Sequence, residues 1–298
     1  MAMYAAKNCG TGRMQVHTPV LDLLSGEPVQ ALELRRALVA SLQAGEIHPW
    51  YQPIVNVHTG RIEMLEALAR WTCGGLTLPA DVFVPVAIEA GLADRLTATV
   101  IEQACVQLSS WNEMLGHRRL RVAVNLHPTE FSDSTMPERL FRLMDTHALA
   151  RDQIVLEITE LAPSNRPDAA IEVVHQLRAA GVQLALDDFG TGFSSLRRMA
   201  TMPVDVVKID RFFVVDVEHD RWQQEFMRAV LEFARRLGLR TVAEGVERAS
   251  QADVLRELGC DMMQGYLVAR PAPPDDLLDL LLTDGAPPAP VPSTAGGS

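Results

Sequence analysis

The sequence predicts an α/β fold, a (β/α)8 barrel, on three observations. Eight short β-rich runs recur from Ile47 onward, most of them separated by amphipathic helical stretches, over about 240 residues, the size and rhythm of such a barrel. Polar and mostly acidic residues gather toward one end of successive runs, where barrels of this class place their active sites. A doubly wound open sheet is the main competitor, but no G-x-G-x-x-G follows an early run.

The expected strands are Pro49 to Val55, Ile62 to Arg70, Leu120 to Leu126, Gln153 to Thr159, Val182 to Asp188, Val204 to Asp210, Thr241 to Val246 and Met262 to Val268. Asn56 to Gly60 joins the first two and is too short for a crossover helix, so those strands should be antiparallel neighbours. Ahead of them, Leu32, Leu34, Leu38, Val39 and Leu42 fall at spacings that put most of them on one face of a helix over Gln30 to Ala44. Further helices are expected over Leu96 to Leu115, Pro167 to Ala180, Arg221 to Leu237 and Gln251 to Leu258. The barrel domain should therefore occupy residues 28–283. Residues 284–298 are rich in Pro, Ala, Gly and Ser, lack the apolar side chains of a core, and are expected to be a disordered tail.

Composition narrows the function. Apolar residues make up 48% and charged residues 22% of 298, ordinary for a globular chain with a sizeable core. Thirty-eight acidic against 27 basic side chains give a formal charge of -11, which argues against gripping a nucleic-acid duplex through a broad basic face. A compact anionic ligand remains compatible if metal ions supply positive charge. Cys9, Cys73, Cys105 and Cys260 show no C-x-x-C spacing, and the eight histidines show no H-E-x-x-H, so neither zinc nor a disulfide framework is suggested. With no signal peptide and no apolar run of about 18 residues, a cytoplasmic location is expected.

The stretch Val182 to Leu196, VQLALDDFGTGFSSL, is an apolar strand ending on two adjacent carboxylates, Asp187 and Asp188. Neighbours on an extended strand point to opposite faces, so these two can converge only where the strand is ending. Gly190 and Gly192 permit that ending. Taken alone, the stretch also reads as a polar turn capping a following helix. Its companions weigh against this: Glu66 and Arg70 on the second run, Asn125 on the third, Glu157 on the fourth, Lys208 and Asp210 on the sixth, Glu244 and Glu247 on the seventh and Gln264 on the eighth. Burying so many carboxylates together without cations costs several kcal/mol each, on the order of magnitude known for buried ions. An all-oxygen donor set suits Mg²⁺ or Mn²⁺ rather than zinc.

These motifs resemble those of the EAL-type cyclic di-GMP phosphodiesterases. Glu66-Ala67-Leu68 stands in LEALARW after Tyr51-Gln52-Pro53-Ile54. VNL follows at Val124, LEITE at Leu156, DDFGTGFSSL at Asp187, VKID at Val207, AEGVE at Ala243 and QGY at Gln264, in family order over roughly residues 30 to 282. Residues 1–27 are expected to be the remnant of an upstream domain plus linker, because MAMYAAKNCG resembles the closing helix of a GGDEF (diguanylate cyclase-type) domain.

The resemblance implies a TIM-like barrel with an antiparallel first strand, and hydrolysis of cyclic di-GMP to linear pGpG by two-metal activation of a water. It makes Glu66, Asn125, Glu157 and Asp187 ligands of one metal, with Asp187 bridging to a second held by Asp188 and Glu244. Glu244, Lys208 and Glu247 take catalytic roles: Glu244 as possible base, Lys208 on the attacking water, Glu247 as anchor of the loop after Asp188. Gln52, Leu68, Arg70, Asp210 and Gln264 are expected at the substrate, with Arg70 on a phosphate and Gln264 also near a metal-site water. Phe189, Gly190, Thr191 and Gly192 are expected to form a regulatory loop linked to a homodimer. Mg²⁺ or Mn²⁺ should support turnover and Ca²⁺ inhibit it. Departures from the pattern are His127 for the usual serine, Phe193 for tyrosine, and Arg197-Arg198 after SSL; none removes an implied ligand. A non-catalytic receptor for the same messenger and an unrelated metal-dependent lyase barrel are the alternatives.

Overall fold

The computed structural model describes residues 28–116, 120–159, 167–190 and 203–283. Their contacts divide them into two compact units, residues 28–49 with 68–103, and residues 50–67 with those from 104 onward.

The second unit holds the barrel. Its strands belong to β1 (Ile47–Asn56), β2 (Ile62–Cys73), β4 (Val122–Asn125), β5 (Ile154–Thr159), β6 (Gln183–Phe189), β7 (Val206–Ile209), β8 (Arg240–Ala243) and β9 (Met262–Gln264); a further strand, β3 (Leu76–Pro79), lies outside the barrel. Around it the order is β1-β9-β8-β7-β6-β5-β4-β2, closed by a β1–β2 pairing. From β2 through β4 to β9 every neighbour is parallel, whereas β1 runs antiparallel to β9 with Ile54 opposite Gln264. The short link after Asn56 explains this: Asn56 N–H donates to the Arg61 carbonyl at 2.9 Å, and its Oδ1 accepts from the His58 and Thr59 amides, a turn with no room for a crossover.

A single buried cluster fills the barrel with one residue per strand: Ile54, Met64, Ala123, Val155, Ala185, Val206, Val242 and Met262. Side chains on a strand repeat their facing every two residues. Two positions toward the open end of each parallel strand, the same inward face therefore carries Glu66, Asn125, Glu157, Asp187, Lys208, Glu244 and Gln264. On antiparallel β1 the direction reverses, and Gln52, two residues before Ile54, takes the equivalent place. The polar residues form the next layer of barrel filling above the apolar one.

Helices between strands bury one stripe each. In α6 (Arg221–Arg236), Met227, Val230, Leu231 and Ala234 recur at helical spacing and are buried, and Asp220 caps the helix by accepting from the Trp222 amide at 2.8 Å. At the floor, Arg240 on β8 pairs with Glu63 on β2, and Asn56 Nδ2 donates to Glu63 at 2.8 Å.

The first unit contains α1 (Pro28–Ala44), a hairpin of the end of β2 with β3, α2 (Ala80–Glu89) and the first part of α3 (Ala93–Leu115). Trp71 and Phe83, both fully buried, meet edge to face at 5.9 Å.

The sequence expectation needs correction at several points. β3, α2, α4 (Met136–Thr146) and α8 (Leu278–Leu282) form where the sequence pattern marks no element, whereas α5 (Pro167–Ala179) and α7 (Ala249–Leu258) lie where it marks helices. Strand β8 stops at Ala243 and β9 at Gln264 rather than at Val246 and Val268, because beyond the barrel rim their loops bond to each other, Val246 N–H to the Gln264 carbonyl and Leu267 N–H to the Val246 carbonyl, both at 3.0 Å. The expected remnant, the tail and residues 191–202 lie outside the described residues. Among the described residues no helix is long and apolar enough to cross a membrane.

The Glu63 clasp sets a pH dependence. Burial pushes this carboxyl up, but the Asn56 and Arg240 hydrogen bonds and the Arg240 charge bring it below its ordinary value. A depressed acid contributes stability that is complete above the unfolded value of about 4.3 and drains away as pH falls through it. Melting temperature measured from neutral to acid pH should fall less steeply for Glu63→Gln than for the native chain; parallel curves would remove Glu63 from the acid limb.

Candidate active site

Lys208 organises the polar layer. β7 carries it inward, 1% exposed, with Nζ at 2.9 Å from Glu157 Oε1, 2.9 Å from Glu244 Oε1, 3.1 Å from Asp187 Oδ1 and 3.2 Å from Glu66 Oε2. Desolvation alone would favour the neutral amine, but Asp187, Glu157, Glu244 and Glu66 outweigh it and hold Lys208 as an ammonium far above its ordinary range. The carboxylates respond differently. Burial pushes Glu66 up, yet the Lys208 charge and the Gln264 donor leave it below its usual value. Burial and then repulsion from Glu66 drive Glu157 well above. Glu244 is pushed up to about 8 by burial, with Asp187 and Glu66 adding to it against the pull of Lys208.

Amides complete the ring. Gln264 Nε2 donates to Glu66 Oε2 at 2.7 Å and to Gln52 Oε1 at 2.9 Å, while Gln52 Nε2 donates to the Ala269 carbonyl at 3.0 Å. Asn125 Nδ2 donates to Glu66 Oε1 at 3.1 Å.

Asp188 should face outward by strand alternation, and a backbone irregularity turns it. It adopts φ +54°, a left-handed conformation that aspartate tolerates better than most residues, within a register shift between Leu186 and Phe189. As a result Asp187, Asp188 and Glu244 each offer an oxygen within 4.8 Å of the others. Burial, then Asp187 and Asp210, raise the Asp188 carboxyl.

The donor set fits a hard divalent cation. Five carboxylates (Glu66, Glu157, Asp187, Asp188, Glu244) face one ammonium. Glu157 Oε2 and Gln264 Oε1 are buried without a hydrogen-bond partner, while Glu157 Oε1 and Asp187 Oδ1 are met by the shared Lys208 ammonium. Oxygens oriented inward and unsatisfied are what Mg²⁺ or Mn²⁺ takes as ligands.

The remaining predicted residues are placed as follows. Asp210 Oδ1 accepts from the Phe212 amide at 2.8 Å, capping the 3-10 turn Arg211–Phe213. Glu247 is exposed, and its N–H donates to Gln251 Oε1 at 2.8 Å. Leu68 and Arg70 continue β2 in the first unit, where Arg70 Nη1 donates to the Ala69 carbonyl at 2.9 Å. Phe189 is buried and Gly190 follows it at φ +105°, whereas Thr191, Gly192, Phe193, Arg197 and Arg198 lie outside the described residues. His127 Nδ1 accepts from the Thr129 amide at 3.4 Å, so the unusual histidine caps a turn beside Asn125. The turn Arg211–Phe213 went unremarked in the sequence, where only Asp210 ahead of it signals a cap.

A barrel parallel in all but its first strand, with an inward layer of carboxylates around one lysine at the C-terminal ends of the parallel strands, defines a class of oxygen-ligand metal-site proteins. Comparison with known families narrows this: the EAL domain matches residues 32–271, and the chain belongs to that family. It is 35% identical over 293 residues, 97% of this chain and 37% of the relative, to the cyclic di-GMP phosphodiesterase NbdA of Pseudomonas aeruginosa. Among solved structures it is similar to the EAL enzyme Bd1971 in a form bound to cAMP and cyclic di-GMP, with TM-score 0.80 and 28% identity over 86% of this chain and 70% of that one. It is also similar to the PaMucR phosphodiesterase in complex with c-di-GMP, with TM-score 0.76 and 34% identity over 83% of this chain and all of that one. The chain spans under half the length of the curated relatives it matches.

Removing the central cation tests the electrostatics. In the presence of a chelator, Lys208→Met should lose about 3 kcal/mol of stability at pH 8, the scale of an unpaired buried charge. The loss should shrink at pH 6, where carboxyls such as Glu244 neutralise themselves by taking up protons. Urea unfolding at both pH values checks this; equal losses would mean the carboxyls do not titrate in that window.

Proposed function

We propose that this domain is a phosphodiesterase that hydrolyses cyclic di-GMP to linear pGpG with Mg²⁺ or Mn²⁺. The observation that carries the reading is the excess of inward carboxylates over the one Lys208 ammonium they share at the barrel mouth, with Glu157 Oε2 left without a hydrogen-bond partner. Family membership and the naming of NbdA as a cyclic di-GMP phosphodiesterase support the substrate.

In this reading Glu66, Asn125, Glu157 and Asp187 would hold one ion, and Asp188 and Glu244, beside Asp187, would hold the other. When bound, such ions supply the positive charge that acidifies a water and offsets charge on the phosphate oxygens. Lys208, fixed as an ammonium on four sides, orients the attacking water. Glu244, ionised once bound cations have displaced its proton, is assigned as the acceptor of the proton that the water releases. The new P–O bond forms as the bond to the ribose 3′ oxygen breaks in line with it. That oxygen leaves with a proton from solvent, so one water opens the ring and leaves a 5′-phosphate and a 3′-hydroxyl. Gln264, its Oε1 unpartnered, is assigned to a site water, and Gln52 and Asp210 to positions near the nucleotide. Residues 189–192 are assigned a regulatory role in a homodimer; specific activity independent of protein concentration across the dimerisation range would remove that assignment.

Chromatography of cyclic di-GMP incubated with Mg²⁺, Mn²⁺ or Ca²⁺ tests the reading. Turnover with the first two is expected, weak or absent with Ca²⁺, and reduced by at least about 100-fold in Glu66→Ala and Glu244→Gln. A native chain that binds the nucleotide and never cleaves it would be a receptor. Metal affinity should also depend on pH. A carboxyl with pKa about 8 is protonated below that value, so a cation must displace its proton. Calorimetric Mn²⁺ affinity should therefore rise from about pH 6.5 to about pH 8.5 with proton release. A flat profile would mean Glu244 is already ionised throughout.

A further inference from the structure

The two loops that bring Asp188 and Glu244 together both rest on one short turn, Arg211–Phe213. Asp210 N–H donates to the Phe189 carbonyl at 3.4 Å, and Glu244 N–H donates to the Ile209 carbonyl at 3.0 Å, so the backbone just before the turn is stitched to both. The side chains repeat the arrangement. Gly190, two residues after Asp188, lies so close to the ring of Phe213 that a Cβ there would overlap it. Gly245, the residue after Glu244, would place a Cβ 2.5 Å from Arg211 Cβ. Each loop thus presents bare backbone to a side chain of the turn, at φ +105° and +69°, where glycine alone is comfortable.

The turn is itself braced from behind. Asp210 caps it, Gln223 Nε2 of α6 donates to the Phe212 carbonyl at 3.0 Å, and Phe213 stacks on Phe226 of α6 at 4.0 Å with 14° between planes. Phe213 is 5% exposed, whereas its neighbour Phe212 is 60% exposed. The Phe213 ring thus lies against Gly190, two residues after Asp188, and against the aromatic rings of Phe226 and Trp222 on α6.

We propose that Phe213 is a positioning residue: its ring, held by α6, keeps the Asp188 to Gly190 backbone in its left-handed bend and so fixes the spacing between Asp188 and Glu244. This rests on the metal-dependent reading above. Truncating the ring frees Gly190 to relax into the vacated space, Asp188 swings back toward the outward direction that strand alternation prefers, and the triad opens.

The test uses the full chain without nucleotide, reading Mn²⁺ affinity by calorimetry alongside melting temperature. Phe213→Ala should weaken Mn²⁺ binding by about tenfold or more in protein that remains folded, the scale seen when groups supporting metal ligands are removed. Phe213→Leu, which keeps an apolar filler against Gly190, should recover most of that loss; if the alanine variant does not fold, Phe213→Val, much smaller than the ring, takes its place with the same weakening expected. With cyclic di-GMP, kcat should fall in step with metal affinity at sub-saturating Mn²⁺ and recover when Mn²⁺ is raised, with KM for the nucleotide unchanged. A lower melting temperature with native Mn²⁺ affinity in Phe213→Ala, or in Phe213→Val where it stands in, would reduce Phe213 to a packing residue and overturn the proposal. If the native chain itself bound no Mn²⁺, the metal-dependent reading would fall first, a result distinct from native affinity retained in the variants.

Discussion

The ammonium of Lys208 among Glu66, Glu157, Asp187 and Glu244 is the contact on which the mouth of the barrel depends. Each of those carboxylates is drawn out of bulk water by the same geometry that closes the barrel, since every inward position must be filled by some side chain. Without an interior cation, their mutual repulsion and desolvation would oppose closure of the strands. One lysine leaves a negative excess, which adds to burial in raising the Glu157 and Glu244 carboxyls, and Glu157 Oε2 is left without a hydrogen-bond partner. The layer is stable enough to form and poised to take up positive charge.

The layer follows from a two-residue repeat. An apolar residue on each strand fills the barrel, and the next inward position is polar on all eight. The antiparallel β1 obeys the rule in reverse, which is why Gln52 precedes its apolar partner Ile54 whereas Gln264 follows Met262. Their hydrogen bond at 2.9 Å ties the odd strand into the ring. Asp188 breaks the repeat, and the cost of its left-handed backbone is met by packing: the close fit of Gly190 on Phe213 and the stitching of Phe189 to Asp210 leave the bend little room to relax.

Much of this was legible in the residues. The strand and helix rhythm, the antiparallel start and the concentration of polar residues on successive strands follow from periodicity and a five-residue turn. The missed elements have local reasons. β3 is a four-residue run, LTLP, too short to show alternation, and α2 carries Pro85 and apolar residues on most sides, which blurs its periodicity. The overlong β8 and β9 reflect the same limit, because β-prone residues continue past the rim where hydrogen bonding passes to the loops.

The sequence by itself determined the barrel, its order of strands and the chemical character of the inward layer, because those depend on repeat spacing and side-chain type, which are local properties. Only the tertiary structure decided that Lys208 touches four carboxylates at once, that Glu66 stays below its usual range while Glu157 and Glu244 are raised, and that Asp188 turns inward beside Asp187. Those outcomes depend on distances between segments as far apart as residues 66 and 264, on the burial each group acquires when the barrel closes, and on an aromatic turn whose ring meets a glycine. Spacing along the chain encodes none of them.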